Sequence, residues 1–278
     1  MPVSPDNAAQ SQAAPFRTSM DHTTFTLVAS AALFFGMLVL LEVGRRGGAR
    51  RLAADPEHGQ DGNGAIEGAV YALLGLLIAF TFSGAATRFD DRRNLVVQES
   101  NDIGTAWLRV DLLPAAAQPA LRDLFRRYLD ARLDVYRDVS DAVATQEALS
   151  RASRLQGEIW AHAVAASRAD GAPPAAPMLL LPALNQMFDT ASSRVLATKL
   201  HPPVIIFGML FALALASALF AGYGMGGAKA RNWVHMVGFA AVMAGAVNVI
   251  VDLEYPRLGL IRVDAFDQAL VDLRKSMD

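Results

Sequence analysis

The sequence predicts an all-α integral membrane protein with four transmembrane helices and a helical soluble domain inserted between the second and third spans. Three observations carry this. Four apolar stretches reach the roughly 20 residues that a helix needs to cross a bilayer. The long segment between the second and third repeats its apolar residues at helical rather than strand spacing. Over 278 residues the chain is 53% hydrophobic yet 19% charged, too apolar for a soluble domain and too charged to lie wholly in lipid.

The elements follow in order. Residues 1–22 are small, polar and proline-containing, and a disordered tail is expected. The first span, 23–44, has an uncharged core from Phe25 to Leu41 and closes on Glu42, Arg45 and Arg46. Only Arg17 precedes it as a basic residue, and GRRGGARR follows in place of a cleavage site, so a retained span is expected rather than a signal peptide. The second span, 65–87, carries Glu67 near its entrance. The third and fourth, 203–223 and 233–251, are joined by GMGGAKARN, read as a tight interhelical turn.

Four amphipathic helices fill the soluble segment, 88–200, and a C-terminal segment, 252–278, ends the chain. The first helix carries Phe89, Val96, Ile103, Trp107 and Val110 and stops at Pro114. The second carries Leu121, Leu124, Tyr128, Ala131 and Val135, with Arg122, Arg126, Arg127, Asp130 and Asp134 on its outer face. The third carries Leu149, Ala152, Leu155, Ile159 and Ala163. The fourth is expected to begin near Pro182, after GAPPAAP, and to run through Leu184, Phe188, Ala191 and Val195. Each single apolar stripe must bury against another helix or another copy. From Ala65 to Leu113 only isolated glycines interrupt the helical pattern and no proline does, which predicts one rod joining the second span to the soluble domain.

Composition excludes several classes. A net charge of -2 offers no basic field for nucleic acid, and the absence of cysteine removes disulfides, thiolate metal sites and a cysteine nucleophile. The five histidines are scattered and form no HExxH frame; no P-loop, dinucleotide fingerprint or nucleophile elbow is present. The expectation is a protein that is not an enzyme and has no cofactor and no metal.

Polar residues within spans are costly and therefore informative. Asn248 is read as an interhelical hydrogen-bonding group, and Thr81 and Ser83 as bonding their own helix. Ala241 with Gly245, and the run ALALASALFAGYG, read as small faces for close helix packing, including packing between subunits. Asp90 and Asp91, alternating with Arg88, Arg92 and Arg93, read as solvated helix pairing. On the second span Ala72, Leu76, Phe80 and Gly84 form an apolar row at four-residue spacing. Such a row is either lipid-facing or core, or a constriction that gates by dewetting.

The frame FTFSGAATRFDDRR, Phe80 to Arg93, resembles bestrophin channels where their pore-lining span enters the soluble domain. ASSRVLATKLHPP and VDLEYPRLGLIRVDAFDQAL resemble the segments that enter the third span and follow the fourth. VVQESNDIGTAWLRVDLLP, LFRRYLDARLDVYR and LNQMFDTASSR are more closely similar to the bacterial bestrophin-like domain family, long a domain of unknown function, over Glu67 to Arg274. The resemblance implies a multi-pass protein of the bacterial cytoplasmic membrane, assembled as a ring, a pentamer, that passes small anions. Leu76 and Phe80 would form the pore constriction, with Ala72 and Gly84 in the same row and Glu67, Arg88 and Arg93 as ion-contacting or coupling residues. The paired tryptophans of characterised bestrophins are replaced here by Phe89 and Asp90, and of their acidic calcium clasp only Asp264 and Asp267 have counterparts.

Orientation has two answers at this level. The arginines that follow the first span outnumber those before it, which favours cytoplasmic short loops and an external helical domain, whereas the resemblance implies a cytosolic one. A rival function is a membrane-anchored sensing or scaffold module whose helical domain binds a partner or ligand.

Overall fold

A computed structural model describes residues 22–56, 63–137, 141–228, 230–257 and 260–278. The expected tail falls outside these residues except for His22, where the first helix begins. Among the described residues the chain is helical with no strand. The elements are α1 (His22–Ala54), α2 (Asn63–Arg109), α3 (Gln118–Arg137), α4 (Ala142–Ser167), α5 (Ala175–Ala197), α6 (Val204–Gly224), α7 (Trp233–Glu254) and α8 (Gln268–Ser276). Four of them, α1, α2, α6 and α7, are long and apolar enough to cross a membrane.

Helix α2 is the expected rod, 47 residues without a break. It ends in a 3-10 turn, Val110–Leu112, and Leu113 is extended, as a residue before proline must be. Its two halves enter different hydrophobic clusters. Leu74 and Ala85 join Leu33, Met37 and Leu41 of α1, Ala214 and Ala218 of α6, and Ala240 and Val247 of α7. Ile103, Ala106 and Trp107 join Phe125 and Tyr128 of α3, Ile159 of α4, Leu184 and Met187 of α5, and Leu270 of α8. The apolar stripes expected on α2, α3 and α4 are largely the buried ones, Phe89 and Leu149 being only partly covered.

Helix α5 corrects one expectation. It begins at Ala175, not near Pro182, and carries that proline inside. The residues ahead of the proline supply the first buried positions, Ala176 and Leu180, so packing on both sides of Pro182 outweighs the lost backbone hydrogen bond. The first helix also continues ten residues past Gly44, through GRRGGARR. It does so because its glycines let α6 lie against it. A Cβ on Gly44 would stand 2.0 Å from the Leu219 carbonyl oxygen, one on Gly48 2.2 Å from that of Tyr223, and one on Gly222 2.0 Å from that of Leu41. The small run of α6 therefore packs inside the chain, with Ala214, Ser217, Ala218 and Gly222 buried. Ala241 and Gly245 of α7 are exposed instead, and a Cβ on Gly245 meets nothing.

Asn248 makes the expected interhelical bond, accepting from the Ser30 hydroxyl at 2.8 Å, and Thr81 donates to the Leu77 carbonyl of its own helix at 2.7 Å. Substituting Gly222→Val forces side chain into backbone, which no rotamer change relieves. We expect it to cost at least about 1–3 kcal/mol, read as lost thermal stability and monodispersity in detergent, while Gly245→Ala leaves both unchanged.

Candidate functional site

Within its most apolar window α2 is only 6% buried, against 22% for α1 and α6 and 28% for α7. One side packs on α6 and α7 through Leu74, Leu77, Ile78 and Ala85. The row at four-residue spacing lies elsewhere: Ala72 is exposed, and Leu76 is 52% and Phe80 67% exposed among the described residues. Gly84 ends the row, and its missing side chain makes room for Arg88, whose Nη1 would lie 3.2 Å from a Cβ there. Glu67 is at the opposite end of the span, half-buried beside the end of α6, where a Cβ on Gly224 would be 3.4 Å from its carboxylate.

The structure overturns the reading of the charges after this span as surface pairs. Only Arg93 behaves so, pairing with Asp90 at 3.3 Å and lying over the Phe266 ring at 5.3 Å. Arg88 turns inward and its Nε donates to both carboxylate oxygens of Glu254, at 2.9 and 3.1 Å. Glu254, at the end of α7, is fully buried, and His201 Nδ1 is 3.6 Å from it. Arg92 is 7% exposed and donates to three backbone carbonyls: Ala197 at 3.1 Å, Leu200 at 2.9 Å and Glu254 at 2.9 Å. Ala197 and Glu254 end α5 and α7, where partial negative charge suits a cation, and Leu200 lies in the connection that follows α5. Burial nevertheless pushes the Arg92 guanidinium's pKa down, partly offset by the charge of Glu254.

Further along α2 a second cluster ties the other helices together. Glu99 is fully buried and accepts from Arg132 Nε of α3 at 2.5 Å and from Arg194 Nη1 of α5 at 2.6 Å. Arg194 also donates to Asp267 at 2.5 Å, and Asp267 accepts from Arg257 at 2.7 Å. The Tyr136 ring stacks with these cations, 3.8 Å from Arg194 and 4.6 Å from Arg257. Burial raises the Glu99 carboxyl, but Arg132 and Arg194 outweigh it and hold its pKa below the ordinary carboxylate value. Arg132 responds in the same way: burial lowers it and Glu99 raises it further.

Asp267, one of the two acids compared with a calcium clasp, is thus committed to arginines, and no group of three metal-ligating side chains occurs among the described residues. Sequence reasoning assigns no role to Glu99, Arg132 or Glu254, and it counts Arg194 and Arg257 only as basic residues flanking the spans. A signal existed. Arg92 and Glu99 fall on the apolar stripe of α2 with Phe89, Val96 and Ile103, and Arg132 falls on that of α3 four residues after Tyr128.

Between the clusters lies a cavity of about 100 Å³, with Arg92, Val96, Tyr136, Arg194, Arg257 and Val263 among its lining residues. The family model for the bestrophin-like domain matches residues 31–265, most of the chain, so the chain belongs to the bestrophin-like family. No curated protein and no solved structure matches it.

Glu99→Gln keeps the volume and removes the charge, leaving the buried Arg132 guanidinium without a carboxylate and Arg194 with Asp267 alone, at a cost of about 3–5 kcal/mol. Asp90→Asn, at an exposed pair, costs about 0–1 kcal/mol. Because the folded pKa of Glu99 is depressed, its contribution is complete above about pH 4.3 and lost as pH falls through the lower folded value. Melting curves of both variants across acidic pH check this: wild type loses stability there, and Glu99→Gln shows a shallower slope.

Proposed function

We propose that this bestrophin-like membrane protein is a channel, not an enzyme, in which copies of the chain form a ring, a pentamer, around α2 in the cytoplasmic membrane of a bacterium. The observation that carries the reading is the uncovered apolar face of α2. A helix with 6% of its apolar window buried, in a chain whose other spans are three- to fivefold better covered, has a face left for lipid or for other copies of itself. Ring closure brings Leu76 and Phe80 from every copy to one level, and apolar side chains that converge on a narrow path gate ions by excluding water. Ala72 and Gly84 continue the row. Small anions are the permeant species that the resemblance to bestrophin channels implies.

Arg88 and Arg93 act as coupling residues in this reading. Arg88 joins the last turn of the α2 span to the end of α7, and Arg93 holds α2 against Phe266 before α8. The helical domain formed by α3 to α5 would move with the lower half of α2 and pull on the row through one continuous backbone. Glu67, at the other mouth, would contact ions or pair locally.

Halide flux in proteoliposomes tests the proposal, comparing wild type with Leu76→Ala/Phe80→Ala. The expected result is measurable wild-type flux that rises several-fold or changes selectivity in the double variant. No flux above empty liposomes from either protein, with folding and oligomer verified, would favour the membrane-anchored sensing module instead.

A further inference from the structure

Arg92 is a buried cation without a carboxylate of its own. The acids around it are already engaged: Glu254 by Arg88, Glu99 by Arg132 and Arg194, and Asp267 by Arg194 and Arg257. Its three bonds go to carbonyl oxygens, and a guanidinium has five N–H donors, so two remain without a protein acceptor among the described residues. Carbonyl oxygens offer only partial negative charge, about half an elementary charge even at a helix C-terminus, while taking a full charge out of water costs several kcal/mol unless it is matched. Among the described residues Arg92 therefore has no carboxylate within hydrogen-bond distance, and the charge of Glu254 acts on it only from beyond that contact.

The cavity beside Arg92 limits which anion. At about 100 Å³ it is smaller than the roughly 150 Å³ cavity that takes benzene. Val96, Pro256 and Val263 contribute apolar wall, which a bare halide leaves unfilled. Arg194, Arg257 and Glu254 also line the cavity, but the two arginines are committed to acids and Glu254 to Arg88, so a second ligand charge has no cation to meet.

We propose that this cavity binds a short-chain aliphatic monocarboxylate, with its carboxylate on the unused N–H groups of Arg92 and its alkyl end against Val96, Pro256 and Val263. The ligand sits one helical turn beyond Arg88 on α2, where it braces α2 against the ends of α5 and α7. The site stands whether or not the chain conducts, because it is built from buried groups of one copy.

Titration calorimetry on the full chain in detergent, with sodium propionate as the probe, tests the assignment. Saturable binding is expected for propionate and none for its neutral amide, for succinate, or for sodium chloride at the same ionic strength. Arg92→Gln should weaken propionate binding at least about tenfold. Val263→Phe, which fills the cavity and leaves Arg92 in place, should abolish it while elution volume and helicity stay unchanged. Binding of the amide or of chloride as tight as that of propionate would overturn the proposal, as would unchanged propionate affinity in Val263→Phe. If Arg92→Gln does not fold, the probe series on wild type and the Val263→Phe variant decide the question.

Discussion

A helix that leaves an apolar medium without bending must change its partners while its backbone stays the same. Helix α2 does this over 47 residues, and the rest of the molecule is arranged around the change. Its first half packs with α1, α6 and α7, its second with α3, α4, α5 and α8. No proline or paired glycine offers a hinge from Asn63 to Arg109. Displacing one half therefore displaces the other, and mechanical coupling follows from backbone hydrogen bonding rather than from any special contact.

Between the two hydrophobic clusters α2 carries Arg88, Arg92 and Glu99 on inward faces. Apolar packing alone is non-directional, whereas a carboxylate with two guanidiniums specifies which helix ends meet. Arg88 fixes α7, Arg92 fixes the ends of α5 and α7, and Glu99 fixes α3 and α5. Removing one member exposes the cost of the others, so the clusters locate the helices more than they stabilise them. Asp252 extends the arrangement by accepting from the backbone N–H groups of Leu260 and Ile261, which pins the chain returning from α7.

Periodicity made the helices legible. Tyr128, Ile159 and Ile103 are fully buried where the apolar stripes put them, and the rod from the second span was readable from the absence of proline. Two things were not. Pro182 looked like a start because a lone proline carries no record of what packs on either side of it; Ala176 and Leu180 supply that packing. The charges after Gly84 looked solvated because alternating signs at short spacing suit a surface helix equally well. Glu254, distant in the chain and unremarkable in its own segment, is what turns Arg88 inward. The row of Leu76 and Phe80 was visible as a pattern, but four-residue spacing is the same for a packed row and an exposed one, so only the structure shows that both side chains are more than half exposed.

Hydrogen–deuterium exchange along α2, measured on the full chain in lipid nanodiscs, bears most directly on whether the two halves act as one rod. The account predicts that amides from Gly84 through Val96 are protected together with those on either side, as one cooperative unit. Rapid exchange confined to that stretch, between two protected halves, would reveal a hinge at the junction and contradict the coupling from which the rest is argued.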